Sequence, residues 1–131
     1  MTIVVGYTPT PPGRAALVAA VAQARKDSEP LLVVNSSRGE SLDDPRYAQP
    51  ADLEWARTTA EEAGIDVSIR QEIRGRDAAD ELLDVLEEVD ASLCVIGIRK
   101  RTAAGKMLLG SNAHRILMNA SCPVLTVRAD Q

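Results

Sequence analysis

Aliphatic and β-branched runs recur along the chain, with stretches of helical spacing between them. "TIVVGY" (2–7), "LLVVN" (31–35), "SLCVIGI" (92–98) and "PVLTVR" (123–128) are largely apolar, whereas "DVSIRQEI" (66–73) alternates. Continuous apolar runs suit strands covered on both faces, as in a parallel sheet, and alternation suits an edge strand. Between the strands, "GRAALVAAVAQARK" places Leu17, Val18, Val21 and Ala24 on one side of a helix. "ADLEWARTTAEEAG" places Leu53, Ala56, Ala60 and Ala63 on one stripe, with Gly64 as the stop. "RDAADELLDVLEEV" spaces Leu82, Leu83, Leu86 and Val89 helically behind Asp77 as N-cap. "SNAHRILMNA" does the same with Ala113, Ile116, Leu117 and Ala120.

The order β-α-β-α-β-α-β-α-β predicts an α/β fold, an open parallel sheet with right-handed crossovers and helices on both faces. At 131 residues the chain fits one domain, taken here as residues 1–131, and no linker or internal repeat interrupts it. In such folds ligands bind outside the carboxyl ends of the strands, where strand order reverses. Three segments fall there: "TPTPPG" after the first strand, the polar loop 36–50 after the second, and "RKRTAAGKMLLGS" after the fourth.

Composition narrows the chemistry. The chain carries 15 Lys+Arg against 19 Asp+Glu, a net charge of -4, and its aromatic content is 2%. That balance argues against nucleic-acid binding, which draws on basic patches and stacking aromatics. No apolar run is long enough for a bilayer, and the N-terminus lacks a signal-peptide pattern, so a cytoplasmic protein is expected. Cys94 and Cys122 lie in apolar runs without a CxxC pair, which fits small buried hydrophobes better than redox chemistry or zinc. A receiver domain shares the β/α alternation but needs carboxylates where this chain has Thr8 and Arg74-Gly75.

Against the acidic background, Arg99, Lys100, Arg101 and Lys106 cluster without an acid among residues 99–106. Gly110 and Ser111 then open the last helix. A helix N-terminus presents unpaired N–H groups and a partial positive charge, and nearby cations add charge-assisted bonds. These are the parts of a phosphate site; a solvated basic loop with Ser111 as a helix cap is the other reading. Asp43 and Asp44 form an acidic pair that fits either a solvated turn or a contact with a nucleotide's metal ion. His114 lies three residues after Ser111, without an obvious acid to orient a Ser–His pair. Trp55 reads as packing rather than base stacking.

The chain resembles the universal stress protein family (UspA-type domain) over its full length. The resemblance rests on Gly97, two residues, Lys100, nine residues, then Gly110-Ser111, which matches the family's phosphate-loop spacing of Gly, two residues, Gly, nine residues, Gly and Ser or Thr. "LLGSNAHRIL" followed by "CPVLTVR", "CVIGI", and "RGRDAADELL" also fit. Lys100 stands where the motif has its second glycine, and Thr8-Pro9-Thr10 stands where the family often has Asp-Gly-Ser. The resemblance implies a Rossmann-like, adenine-nucleotide α-hydrolase-like sheet of order 3-2-1-4-5. It also implies an adenine nucleotide ligand (ATP, ADP or AMP, with or without Mg) and a homodimer through the last strand, 123–128. Gly97 and Gly110 would permit close approach, and Ser111 and the Asn112 N–H would hold phosphate oxygens. Arg99, Lys100 and Arg101 would neutralise charge, while Thr8, Pro9 and Val34 flank base and ribose. The expected role is a non-enzymatic stress-response regulator, although slow nucleotide hydrolysis stays open. The alternative is a stress-family dimer that binds no nucleotide and works through protein partners.

Overall fold

The computed structural model describes residues 1–37, 46–73, 77–98 and 110–129. The elements are β1 (Thr2–Gly6), α1 (Pro11–Asp27), β2 (Leu31–Ser37), α2 (Pro50–Glu62), β3 (Val67–Ile73), α3 (Ala78–Glu88), β4 (Ala91–Ile98), α4 (Ser111–Asn119) and β5 (Val124–Arg128). All strand pairs are parallel, in the order β3-β2-β1-β4-β5. The alternating strand β3 is an edge, and so is β5.

The apolar strand runs follow from two covered faces. Along β1, Ile3 and Val5 enter one core with α1 and α2, while Val4 enters the other with α3 and α4. Both sides of each central strand must therefore be apolar, which removes the polar alternation of a half-solvated sheet. No helix among the described residues is long and apolar enough to cross a membrane.

Local chemistry sets the helix ends. Thr10 caps α1 by accepting the Gly13 N–H, and Pro11 and Pro12 fill positions where a missing N–H costs nothing. Arg25 and Lys26 close the last turn, where cations favour the helix dipole. In α2 the Gln49 N–H donates to Asp52 Oδ2 at 2.9 Å. Gly64 ends that helix at φ +78, with its N–H on Glu61 O and the Ile65 N–H on Ala60 O, a Schellman pair.

Three expectations change in detail. The buried face of α1 is Gly13, Ala16, Leu17, Ala20, Val21 and Ala24, while Val18 is 54% exposed. The face is centred between Leu17 and the Ala16–Ala20 row; Val18 lies about 100° beyond Leu17 and about 200° from Ala16, so it turns outward while small alanines complete the face. Asp77 is the N-cap residue of α3 but makes no cap bond; its carboxylate meets Arg115 of α4 at 3.3 Å. Gly110, not Ser111, caps α4, and Ser111 is its first helical residue.

Candidate functional site

At the carboxyl ends of the strands a cavity of about 470 Å³ opens where β1 and β4 lie side by side and their crossovers part to opposite faces. Three helix N-termini border it. Thr10 and Pro12 come from α1, Ala78 and Ala79 from α3, and Gly110, Asn112 and Ala113 from α4. The floor is Gly6, Val34, Ile96 and Gly97.

The three helix ends differ in charge. The first turn of α3 holds Asp80 and Glu81, whereas α1 and α4 have no acid there. Among the described lining residues no carboxylate appears, and Arg46 is the one ionised side chain. In α4 the first helical bond runs from the His114 N–H to Gly110 O at 2.9 Å. The N–H groups of Ser111, Asn112 and Ala113 precede it and have no carbonyl within the helix. An anion is therefore favoured at the α4 end and disfavoured beside α3.

Two glycines shape this corner differently. A Cβ on Gly97 would collide with the Pro12 carbonyl, so the glycine lets β4 press against the first turn of α1. The close approach expected there is thus made by the chain's own backbone. Gly110 has nothing within 4 Å of an added Cβ, and its conformation is ordinary at φ -65. Among the described residues, a side chain there would meet nothing, at a position that lines the cavity. Gly13, which sequence reasoning passed over, lies so close to the Thr8 carbonyl that no Cβ fits.

Hydroxyls dominate the opposite wall. Thr8 Oγ1 and Thr10 Oγ1 are 2.8 Å apart, and both residues line the cavity. One proton serves their mutual bond, so the pair keeps one further donor. Ser36 also lines the cavity; it is 8% exposed, and its hydroxyl oxygen is buried without a hydrogen-bond partner among the described residues.

A buried carboxamide braces this wall. Asn35 is fully buried and donates to Tyr7 O at 2.9 Å and to Arg46 O at 2.7 Å. Its Oδ1 accepts from the Ala48 N–H and from Gln71 Nε2, each at 3.0 Å. Gln71 Nε2 also reaches Ala48 O at 2.8 Å. The network joins the end of β1, just before Thr8, to the segment 46–48 that carries Arg46. Tyr7 is held on its other side: its hydroxyl donates to Asp52 O at 3.1 Å, and its ring stacks on Trp55. Burial raises the Tyr7 phenol above its usual pKa, Asp52 adds to this, and Arg14 opposes it.

Of the residues expected from sequence, the fold gathers Thr8, Val34, Gly97, Gly110 and Asn112 around the cavity. Pro9 and Ser111 are not among its described lining residues, and Ser111 is exposed on the first turn of α4. Arg99, Lys100, Arg101, Lys106, Asp43, Asp44 and Arg74-Gly75 lie outside the described residues. His114 is exposed and does not line the cavity. Thr10, Ser36 and Arg46 fall in the two segments expected there, "TPTPPG" and 36–50, but were not singled out, and the α3 wall was missed. Only Thr10 carried a signal, a threonine directly before two prolines at a helix start.

Both cysteines are free thiols. Cys94 is buried, and burial, with a smaller effect from Cys122, pushes its pKa up to about 12. Cys122 is half-buried and raised by the same desolvation.

The family model described as the universal stress protein family matches residues 1–128. The chain belongs to the universal stress protein family. A universal stress protein of Mycolicibacterium smegmatis is 40% identical over 126 residues, covering 96% of each chain. The chain spans about half the length of a universal stress protein from Mycobacterium bovis, 33% identical, with 95% of this chain matching 47% of that one. A universal stress protein of Archaeoglobus fulgidus solved in complex with dAMP is 25% identical with a TM-score of 0.73, covering 95% of this chain and 94% of that one. A universal stress protein solved in complex with cAMP is also 25% identical, with a TM-score of 0.76, covering 99% and 98%. These universal stress protein structures share the adenine-nucleotide α-hydrolase-like arrangement and the sheet order found here.

Proposed function

We propose that the chain binds an adenine nucleotide in this cavity and acts as a non-enzymatic, cytoplasmic regulator in a stress response. The observation that carries the reading is the acid-free N-terminus of α4 beside the end of β4, on a cavity with no carboxylate among its described lining residues. The nucleotide phosphates sit against the Asn112 and Ala113 N–H groups. Arg99, Lys100 and Arg101 belong to the segment joining β4 to α4, and they neutralise phosphate charge. Magnesium, where present, travels with the nucleotide. Base and ribose lie over Val34 and Gly6, with Thr8 at the ribose. The dAMP and cAMP complexes of relatives support the adenine assignment. We assign no catalytic group, so nucleotide turnover is expected to be absent or slow.

The same reading makes the protein a homodimer joined along β5. That strand pairs with β4 alone, and its residues Val124, Leu125 and Val127 are only half-buried, which leaves an edge that a second copy can cover.

Gly110→Val with Ser111→Ala tests the site. Among the described residues the added side chain meets nothing, and Gly110 lines the cavity, so valine there takes up space that the phosphates need. The variant should stay folded with its oligomeric state unchanged, at the cost of a weaker N-cap, and lose ATP, ADP and AMP binding. Undiminished binding would refute the placement. A wild-type protein that binds none of the three would favour the alternative, a partner-binding dimer, for which Leu117 and Met118, 39% and 70% exposed on α4, offer an apolar contact surface.

A further inference from the structure

We infer that Ser36 is the residue that reads the polar edge of the nucleobase, an inference that rests on the nucleotide reading above. Its hydroxyl is buried and has no partner among the described residues, although buried polar groups are nearly always bonded. Ser36 shares a sheet face with Leu32 and Val34, both of which belong to the core beneath α3 and α4. It therefore lies on the side of the sheet that carries the cavity. The anion-favouring N-terminus of α4 belongs to the β4 crossover, and β2 lies two strands from β4. Two strand spacings are about 10 Å, the reach of a nucleotide from its 5′-phosphate to the polar edge of its base.

The surroundings of Ser36 suit a flat neutral ring and disfavour a second phosphate. Val34, Ala78, Ala79 and Leu82 form an apolar slot, and the first turn of α3 beside it is acidic. Gly6 has no side chain to lift the ring from the floor, and a Cβ there would press on Leu82 Cδ2 at 3.1 Å. A serine rotates among three staggered positions and both donates and accepts. It can accept from an exocyclic amine or donate to a ring nitrogen, so a purine over Val34 supplies the partner that the hydroxyl lacks.

The test is a calorimetric titration of wild type and Ser36→Ala with AMP and with ribose 5-phosphate, which keeps the phosphate and sugar but has no base. Thermal melts of both proteins without ligand accompany it. Wild type should bind AMP more tightly than ribose 5-phosphate. Ser36→Ala should weaken AMP about 5- to 10-fold and leave ribose 5-phosphate unchanged, as expected for one hydrogen bond to the base. Without ligand the variant should melt no lower than wild type, because it removes an unpartnered group. Equal AMP affinity in the two proteins, or equal weakening of both ligands, overturns the Ser36 assignment while leaving nucleotide binding intact. A lower melting temperature without ligand also overturns it, since the hydroxyl would then serve the fold. Failure of wild type to bind either ligand overturns the nucleotide reading itself, and the assignment with it.

Discussion

Asn35→Ala should weaken the fold far more than a polar-to-alanine change usually does. The carboxamide makes four hydrogen bonds, to Tyr7 O, Arg46 O, the Ala48 N–H and Gln71 Nε2. Those with Tyr7 and Ala48 are buried, so their backbone partners would be left without water. A stranded buried group costs about 1–3 kcal/mol, and the two part-buried bonds add about 0.5 kcal/mol each where water replaces them. The sum is about 3–7 kcal/mol, a large share of the 5–15 kcal/mol that typically holds a domain together. With a urea slope of about 2 kcal/mol per molar, the unfolding midpoint should fall by about 1.5 M or more. Because Thr8 follows Tyr7 and Arg46 lines the cavity, nucleotide affinity should fall as well, even under conditions where the variant remains folded. Asn35→Asp should be worse at neutral pH, since it sets a carboxylate against two carbonyls. That buried acid would hold its proton more tightly when folded than unfolded, so the variant should regain stability as pH falls. A midpoint shift under about 0.5 M for Asn35→Ala would show that the network does not brace the site.

Gly97→Ala drives a methyl group into the Pro12 carbonyl and should cost about 1–3 kcal/mol by overpacking, measured by the urea midpoint. Gly110→Ala meets nothing among the described residues and loses only a favoured N-cap residue, so it should cost less than Gly97→Ala, under about 1 kcal/mol. In native protein at pH 8, Cys94 should resist iodoacetamide while Cys122 reacts slowly, and both should react in urea, as read by mass spectrometry. Cys94 titrates near 9 when unfolded and about 12 when folded, so its contribution to stability is complete below pH 9 and is lost as pH rises toward 12. Cys94→Ala should therefore flatten the alkaline limb of the stability–pH curve.

The sheet was legible because each central strand is apolar on both faces and each helix carries its own stripe. Ile3, Val4 and Val5 needed no tertiary information to be placed inside. Local periodicity failed where packing distance decides. Val18 looks as apolar as Val21, but the sheet meets the helix along its alanines. At the site, the Gly97 and Gly110-Ser111 spacing marked the right corner of the fold, yet it could not separate the glycine that admits Pro12 from the one that faces open space. The Asn35 brace and the Ser36 hydroxyl were invisible for a different reason. Each depends on chain crossings between distant segments, and a lone Asn or Ser at a strand end carries no periodic signal.

The central claim is tested most directly by calorimetric titration of the wild-type protein with ATP, ADP and AMP, with and without magnesium. The account predicts saturable binding of at least one of them, weakened by salt and lost in Gly110→Val with Ser111→Ala. The absence of binding to all three, or binding that survives that double substitution unchanged, would contradict it.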